Sequence, residues 1–278
     1  MKIAISAEST ADLTKELMQE YDIHTVPFQV LLGENEYKDG EIAPTDIFEY
    51  VKKNKILPKT SAINEMDYAE YFSGLLKGYD AVVHITLSSG LSSSYSNAEK
   101  ASKNIDNVYV IDSKSLSTGI GLLLLYASKL AREGKSAEEI YSLTLEQVNK
   151  VQASFVIDKL DYLYKGGRCS ALSLFGANLL SIHPQIVLSE GKMKVHRKYR
   201  GKMEKVVTNY CADTIDEFAD ANLDMAFITY TTATDEMISI ARTALESKGF
   251  RNIYETKAGA TISSHCGENT LGILYLKK

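Results

Sequence analysis

Serine dominates residues 88–96, where six of nine positions carry it. This segment directly follows the apolar run at residues 81–87. A buried strand that ends in a neutral, hydroxyl-rich turn before a helix offers amide and hydroxyl donors to an anion, such as a carboxylate or a phosphate. Serine is also favoured as a helix cap in proteins that bind nothing at that point. The segment therefore predicts either an anion site or a capped helix.

Two other apolar runs end in an acidic residue followed by serine. Glu8 and Ser9 follow the first run of the chain, and Asp112 and Ser113 follow a later one. Such residues satisfy the free amides of a helix N-terminus in many folds. At the ends of neighbouring strands they would also form the floor of one cleft together with the serine-rich turn.

Hydroxyl and cationic side chains occur at two further breaks. Thr60 and Ser61 follow a proline, which predicts a loop that reaches a ligand or the entry to a helix. Arg168 follows two glycines, where the backbone can approach an anion closely and a guanidinium can bind two oxygens. A helix C-cap with a surface arginine has the same pattern.

His265 is the histidine with the most suggestive surroundings. Residues 261–264 read as a strand that delivers His265 to a turn at Gly267. A histidine in that place can meet the charge of a ligand, or it can be structural. Cys266 is its neighbour and a weaker candidate for a nucleophile. We expect His84, which lies within an apolar run, to belong to the core or to a sheet edge.

The elements that position these residues follow from periodicity. Apolar runs, among them one predicted strand at 24–32, alternate with helical patterns in the first half, which indicates a mainly parallel sheet with ligands at the carboxyl ends of its strands. A hairpin predicted at 186–196 indicates a mixed sheet in the second half. We therefore predict an α/β fold with two domains, an α/β/α domain at 1–150 and an α+β domain at 151–278, with the ligand between them. Residues 60–78 could pack with either.

Composition excludes several classes of protein. The 278 residues carry a formal charge of −5, which disfavours nucleic-acid binding. No apolar run approaches the ~20 residues that span a bilayer, and the N-terminus lacks a signal-peptide pattern, so we predict a cytoplasmic protein. The three cysteines lack C-x-x-C spacing, and the histidines lack metal-site spacing, so no metal is expected. Phosphate-loop and dinucleotide motifs are missing as well.

Taken in order along the chain, these segments resemble the DegV family of fatty-acid-binding proteins. The resemblance covers the whole chain and rests on the following residues: Glu8-Ser9-Thr10-Ala11-Asp12-Leu13, Pro58-Lys59-Thr60-Ser61, Ser88-Ser89-Gly90-Leu91-Ser92-Ser93-Ser94-Tyr95, Ile111-Asp112-Ser113, Gly166-Gly167-Arg168, His183-Pro184, Arg200-Gly201 and His265-Cys266-Gly267. This chain has Ser93 and His183 where the family pattern has Gly and Lys.

The resemblance implies two α/β domains that clasp a long-chain fatty acid, with its tail in an apolar tunnel. The residues implied in holding the acid are Thr60, Ser61, Ser92, Ser93, Ser9, Ser113 and His265. The only bound group expected is the fatty acid, without a cofactor. A separate ATP-dependent fatty acid kinase of bacterial phospholipid metabolism would convert the acid to an acyl phosphate, so the chain alone would be a substrate-binding subunit. His265 and Arg168 would support phosphoryl transfer, and Arg200 would face the kinase.

The only concentrated positive charge lies between residues 192 and 205. Such a stretch is either a solvated face or a docking surface for an acidic partner or for membrane headgroups. Two other functions stay open from the residues alone. In a serine hydrolase of acyl esters, Ser92 or Ser93 would be the nucleophile and His265 its base. A small-anion receptor would use the same turns without an apolar tunnel.

Overall fold

The structure is a computed structural model in which residues 1–169 and 182–278 are described. The strands are β1 (Ile3–Glu8), β2 (Ile23–Val26), β3 (Gln29–Leu32), β4 (Asn35–Lys38), β5 (Lys59–Ser61), β6 (Ala81–Thr86), β7 (Val108–Asp112), β8 (Val151–Val156), β9 (His183–Ser189), β10 (Lys192–Tyr199), β11 (Ala221–Tyr230), β12 (Asn252–Lys257) and β13 (Leu271–Lys277). The helices are α1 (Lys15–Tyr21), α2 (Pro44–Asn54), α3 (Glu65–Leu75), α4 (Ser94–Ser102), α5 (Thr118–Arg132), α6 (Ala137–Val148), α7 (Leu160–Lys165), α8 (Met203–Glu217), α9 (Asp235–Lys248) and α10 (Ala260–Cys266). A 3-10 turn spans Ser9–Ala11.

A four-stranded parallel sheet in the order β2-β1-β6-β7 organises the N-terminal part. Strands β1 and β6 are buried along their whole length, and Ile5 lies opposite both Val83 and Ile23. Central parallel strands are covered on both faces, which explains why their sequences are continuously apolar rather than alternating. The predicted parallel sheet is confirmed.

A six-stranded mixed sheet in the order β10-β9-β8-β13-β11-β12 organises the C-terminal part. The predicted hairpin is confirmed as β9 and β10, whose turn has positive φ angles at Glu190 (53°) and Gly191 (77°). Two consecutive left-handed residues match the twist of a tight hairpin. Helices α8 and α9 pack on one face of this sheet, and α5 packs against β8 and β13 on the other.

A small antiparallel sheet in the order β4-β3-β5 corrects two predictions. The single strand predicted at 24–32 is wrong, because the chain leaves the parallel sheet after Val26 and re-enters a different sheet at Gln29. Pro27 lies between them and has no amide to continue a ladder. The predicted loop or helix entry at Thr60 is instead a strand, which pairs with β3.

Helix α10 corrects the strand predicted at 261–264. The Gly259 amide donates to Asp12 Oδ1 and the Ala260 amide donates to Asp39 Oδ1, both at 2.8 Å. Side-chain oxygens that accept the free amides of a first turn stabilise a helix. These caps come from the other end of the chain, so the local sequence does not reveal them.

Val151 separates the strands of the N-terminal sheets from those of the mixed sheet along the chain. Every strand of the parallel and small sheets precedes this residue, and every strand of the mixed sheet follows it or begins there. Within residues 60–78, β5 joins the small sheet, whereas α3 packs into the core of the parallel sheet through Tyr68 and Phe72. The division into two domains stays a prediction. Over the described ranges, none of the helices has the length and apolar character that crossing a bilayer requires.

Candidate functional site

The carboxyl ends of three neighbouring parallel strands meet at one edge of the N-terminal sheet. At this edge Glu8 Oε2 accepts the Leu87 amide at 2.8 Å, and Asp112 Oδ1 accepts the Ser89 amide at 3.1 Å. Ser88 donates to the Gly191 carbonyl at 2.7 Å, which fixes the serine-rich turn to the β9–β10 hairpin. The predicted convergence of these turns is therefore present.

A pocket of about 130 Å³ lies between the serine-rich turn and α10. Its lining residues are Phe28, Thr60, Ala62, Leu87, Leu91, Ser92, Ser93, Leu116, Arg168, Met193, Thr261, Ile262, His265 and Cys266. Among the described residues, the lining contains one arginine and no acidic side chain, so its electrostatics suit an anion. Across the described ranges, no group of three or more His, Cys, Asp or Glu side chains is placed to hold a metal ion.

Ser92 and Ser93 directly precede helix α4 and line this pocket, so the N-terminal end of the helix lies beside it. Ser92 Oγ accepts the Ser94 amide at 3.2 Å and lies 3.0 Å from Ser94 Oγ. When Ser94 Oγ donates in that pair, the Ser92 proton is free for a ligand. Ser93 is exposed and has a φ of −79°, a conformation that does not require glycine. The partial positive charge of the helix N-terminus also favours an anion here.

Thr60 and His265 form the polar pair of the pocket, with Thr60 Oγ1 and His265 Nε2 2.8 Å apart. Burial, followed by the positive charge of Arg168, lowers the pKa of His265 to about 4, so the ring is neutral at pH 7. His265 Nδ1 is buried and finds no hydrogen-bond partner among the described residues. A proton on Nδ1 would lose its hydrogen bond, so the proton belongs on Nε2. His265 then donates to Thr60, and the Thr60 hydroxyl is left to donate into the pocket.

The turn after α7 places Arg168 beside this pair. A Cβ atom at Gly166 would lie 2.6 Å from His265 Nδ1 and 2.8 Å from the Tyr162 carbonyl oxygen, so only glycine fits against the ring. Gly167 has a φ of 72°, the left-handed conformation that glycine adopts without strain. The guanidinium of Arg168 then returns to donate to the Gly166 carbonyl at 2.6 Å. The two glycines thus allow both the close approach and the reversal of the chain.

Three of the predicted ligand residues lie outside the pocket lining. Ser9 Oγ donates to Asp39 at 2.9 Å and accepts the Phe28 amide at 3.2 Å, so it supports the wall from behind. Ser113 is buried and bonds within its own turn. Ser61 is exposed at the end of β5. The structure brings together Thr60, Ser92, Ser93, Arg168 and His265.

The apolar wall continues into a second, smaller cavity of about 20 Å³. Both cavities share Leu116, Ile262 and Cys266, and the second reaches the face of the mixed sheet that packs on α5. Burial raises the pKa of the Cys266 thiol to about 12, so it stays protonated and is a poor nucleophile. The path away from the polar pair is therefore apolar.

His84 lies in the core, which is one of the two placements predicted for it from the sequence. Its Nδ1 is 2.8 Å from Ser6 Oγ, and its Nε2 is 3.6 Å from Glu8 Oε1. Tyr68 donates to the same Glu8 oxygen at 2.5 Å. All four side chains are fully buried and none lines the pocket. This set contains the residue types of a hydrolytic triad without access for a substrate.

Arg200 and His183 lie near the far end of the β9–β10 hairpin from the pocket. Arg200 is exposed just after β10, about 23 Å along the strand from the lining residue Met193. His183 is buried, with Nδ1 3.4 Å from Asp158 Oδ1. Within the cationic stretch, Arg197 pairs with Asp213 and Glu217, at 3.2 and 2.9 Å. Arg200 forms no ion pair within the described ranges.

Sequence reasoning missed the carboxylates that hold α10. Asp12 is buried, accepts a hydrogen bond from Ser117 at 2.5 Å, and has a pKa raised to about 8 by burial and, to a smaller extent, by Asp39. Asp12 belongs to a recognised motif, but nothing in its spacing points to Gly259. Asp39 also accepts the amide of Thr261 at 3.3 Å. A contact across more than two hundred residues leaves no local signal.

Comparisons with known proteins place these features in a family. The model of a family described as uncharacterised DegV proteins matches residues 2–278. A DegV domain-containing protein of Caldanaerobacter subterraneus is 31% identical over 100% of this chain and 99% of its own. A solved DegV family structure from Thermus thermophilus, described as showing fatty acid binding, has a TM-score of 0.92 at 28% identity. DegV from Bacillus subtilis, described as a fatty-acid-binding protein, has a TM-score of 0.87 at 30% identity. In both comparisons the match covers 100% of this chain and 100% of the solved chain.

Proposed function

This chain belongs to the DegV family, and from that premise we propose that it binds a long-chain fatty acid in the pocket between the serine-rich turn and α10. The fatty-acid-binding relatives from Thermus thermophilus and Bacillus subtilis support the proposal. The observation that carries it is the neutral Thr60–His265 pair at a pocket whose described lining has an arginine, no acidic side chain and an apolar continuation.

The tail supplies most of the binding free energy. Burying a methylene stabilises the complex by ~0.8 kcal/mol, which amounts to about 10 kcal/mol for a long chain before association costs are subtracted. A neutral hydroxyl site is sufficient for the carboxylate under these conditions. The headgroup contacts then mainly fix the orientation of the acid.

Thr60 and Ser92 are the hydroxyls proposed to donate to the carboxylate. His265 donates to Thr60 and thereby keeps the Thr60 proton directed away from the ring. A hydrogen bond to a charged oxygen contributes about 1.5 to 3 kcal/mol, partly offset by desolvation. Arg168 adds a positive charge to the same wall. Ser93 offers a further hydroxyl at the exposed rim.

We further propose that the chain presents the acid to a separate ATP-dependent kinase. In that reaction a carboxylate oxygen attacks the γ-phosphorus of ATP, the bond from this phosphorus to the bridging oxygen breaks, and acyl phosphate and ADP form. The chain lacks the phosphate-loop and dinucleotide motifs, so the partner would bring the nucleotide. Arg168 would stabilise negative charge on the transferred group, with His265 holding Thr60 in place.

A docking surface for such a kinase is proposed on strand β10. This strand is an edge of the mixed sheet, and exposed cations lie along it and directly after it, among them Lys192 and Arg200. Complementary charges raise the rate of association and select the partner. An acidic surface on the kinase would therefore recognise this strand. Cytoplasmic localisation and transient contact with membranes during lipid exchange complete the proposal.

The first test is native mass spectrometry of the purified protein, with organic extraction of whatever it carries. A long-chain fatty acid bound in a one-to-one ratio is the expected result. A protein that is purified empty and also fails to take up added palmitate or oleate would overturn the proposal. Hydrolysis of acyl esters by that empty protein would favour the hydrolase.

Removing the proposed headgroup donors tests their role. We expect Thr60→Ala combined with Ser92→Ala to weaken fatty acid binding without abolishing it, because the tail contacts remain. Ser61→Ala is the matched control, since Ser61 is exposed and outside the lining. Dissociation constants measured by displacement of a fluorescent acid give the comparison. Complete loss of binding in a folded double variant would contradict a tail-driven site.

Charge reversal tests the docking surface. Arg200→Glu should weaken the affinity for the kinase and reduce the dependence of that affinity on salt, while fatty acid binding stays unchanged. Lys248→Glu on α9 is a control cation away from β10. Acyl phosphate trapped with hydroxylamine reports the coupled reaction. Equal kinase affinity and salt dependence in both variants and the parent protein would remove the docking surface.

The geometry gives the serine hydrolase less support. Ser92 Oγ is engaged by Ser94, whereas His265 Nε2 is engaged by Thr60. No acidic side chain within the described ranges orients His265 through Nδ1. A small anion would not occupy the apolar cavity beyond Leu116, so a small-anion receptor does not account for that cavity.

A further inference from the structure

Three cavities lie between the serine-rich turn and the C-terminal end of α5, and the last two of them are lined by the face of the mixed sheet that packs on α5. The first is the pocket of about 130 Å³, and the second is the cavity of about 20 Å³ that shares Leu116 with it. The third is a groove of about 390 Å³. Its lining residues are Tyr21, Leu122, Leu125, Tyr126, Lys129, Arg132, Asn222, Asp224, Met225, Asn252, Tyr254 and Leu276. The groove has an apolar floor and a polar rim.

Strand β11 runs from the second cavity to the groove. Thr229 lines the cavity and Met225 lines the groove, about 13 Å farther along the strand. Alternate residues of a strand point to the same face, so Phe227 lies between them on that face. On the neighbouring strand β13, Leu274 lines the cavity and Leu276 lines the groove. Phe227 pairs directly with Leu274.

Phe227 lies between the residues that line the inner cavity and those that line the groove. Its side chain is fully buried in the core that also contains Leu122 and Leu125 of α5. Its ring centroid is 5.3 Å from that of Tyr254, which lines the groove. The aromatic ring therefore lies behind the lining of both cavities, between Leu274 of the inner cavity and Tyr254 of the groove.

The backbone beside Phe227 is held by a series of hydroxyl contacts. Thr229 Oγ1 lies 2.6 Å from Thr118 Oγ1 of α5 and 3.1 Å from Thr256 Oγ1 of β12. These buried contacts tie α5, β11 and β12 together at the level of the inner cavity. They hold the spacing of helix and sheet beside Phe227, so the helix and the sheet cannot separate easily at this level.

We propose that Phe227 is the chain-length stop of the acyl site, which blocks the passage of a fatty acid tail from the inner cavity into the groove. The inference rests on the proposed function. A tail that reaches Phe227 must displace a packed aromatic ring to go farther, and well-packed interiors resist such displacement. Methylenes beyond the stop would gain no burial.

The test is the dependence of affinity on chain length for saturated fatty acids of increasing length. Each additional buried methylene lowers the dissociation constant about fourfold. For the parent protein we expect the dissociation constant to fall in this way up to a certain chain length and to stay constant for longer acids. In Phe227→Ala the levelling should move to longer chains, because the passage toward Met225 and Leu276 is open.

Two further variants keep the experiment decisive. Phe227→Leu retains much of the apolar volume and should move the levelling by a smaller amount, even where the alanine variant folds poorly. Phe250→Leu is the matched control, since Phe250 is buried on the opposite face of the sheet, with its ring 5.1 Å from Tyr275. Its chain-length profile should equal that of the parent protein.

The outcomes separate this inference from the proposed function. A parent protein that binds no fatty acid of any length refutes the proposed function. A parent protein that binds with a clear levelling, which neither Phe227 variant moves, refutes the chain-length stop alone. A shift produced equally by Phe250→Leu would also refute it, because general loosening of the fold would then be the cause.

Discussion

Two histidine–hydroxyl pairs with the same 2.8 Å separation occupy different environments in this molecule. One pair is Ser6 with His84, and the other is Thr60 with His265. The first pair has Glu8 3.6 Å from the second ring nitrogen and is fully buried. In both pairs the second ring nitrogen is buried without a hydrogen-bond partner among the described residues, but the second pair borders a pocket and the first does not.

The difference shows that surroundings, rather than the donor–acceptor distance, decide what such a pair does. The ring of His84 packs edge-on against Phe72 and Tyr68, with centroids 5.2 and 5.5 Å away, and its full burial keeps both ring nitrogens out of reach of a ligand. The environment of His265 removes the ring charge and leaves Thr60 as a donor toward the pocket. The first pair stabilises the fold, and the second prepares a site.

The largest effect is expected at the closed pair. Glu8→Ala removes the acceptor of Tyr68 and of the Leu87 amide, and it leaves His84 without its neighbouring carboxylate. Breaking such a buried network costs about 3 to 5 kcal/mol of unfolding free energy. Urea denaturation followed by circular dichroism measures this loss. Glu49→Ala on the exposed side of α2 should change stability by less than about 0.5 kcal/mol. Equal values for the two variants would contradict a structural role for the pair.

A smaller, pH-dependent effect is expected at the open pair. The pKa of His265 is lowered from 6.5 to about 4 in the folded protein. Below pH 6.5 the unfolded chain therefore takes up a proton that the folded chain does not, so this contribution to stability is lost as the pH falls toward 4. Relative to His265→Gln, the parent protein should lose about 2 to 3 kcal/mol between pH 7 and pH 4.5.

Denaturation curves collected across that pH range provide the measurement. Asp12→Asn supplies a comparison of opposite sign, because the raised pKa of Asp12, about 8, makes its contribution disappear as the pH rises. Parallel pH profiles for the parent protein and His265→Gln would show that the ring is not held neutral by its surroundings.

The smallest effects come from deleting one hydroxyl in each pair. Ser6→Ala leaves His84 Nδ1 buried without a partner and should cost about 1 to 3 kcal/mol of stability, with no change in fatty acid affinity. Thr60→Val removes the partner of His265 Nε2, but this nitrogen borders the pocket, where water can replace the hydroxyl; the variant should therefore weaken fatty acid binding about tenfold and cost less stability than Ser6→Ala. Chemical denaturation and ligand displacement, applied to both variants, give the four values. A reversal of the pattern would show that the roles of the two pairs are assigned wrongly.

The fold was predictable wherever the hydrophobic pattern is periodic and local. The continuous apolar run of β6 and the hairpin with its Glu190–Gly191 turn follow directly from residue types. The small sheet was missed because its strands are short and because Pro27 redirects a run that looks continuous. Short segments of this kind depend on partners elsewhere in the chain.

The site was predictable as a set of residue types, and less so as a geometry. Hydroxyls and cations in turns identified Thr60, Ser92 and Arg168, all of which line the pocket. The same pattern selected Ser9 and Ser113, whose hydroxyls bond to the protein instead. Capping and ligand binding require the same groups, and sequence spacing does not separate the two. The residues that line the apolar cavities follow from packing between the halves, which no local pattern records.

The attachment of α10 to the opposite end of the chain makes the order of folding matter. Its N-terminus is held by Asp12 and Asp39, and its His265 by Thr60, across 247, 221 and 205 residues of sequence. Contacts that close such long loops form late, because their entropy cost precedes any gain. A chain still on the ribosome therefore has the hydroxyls but not the site. The acid would bind only the finished protein, and by mass action it would protect that finished state against reopening.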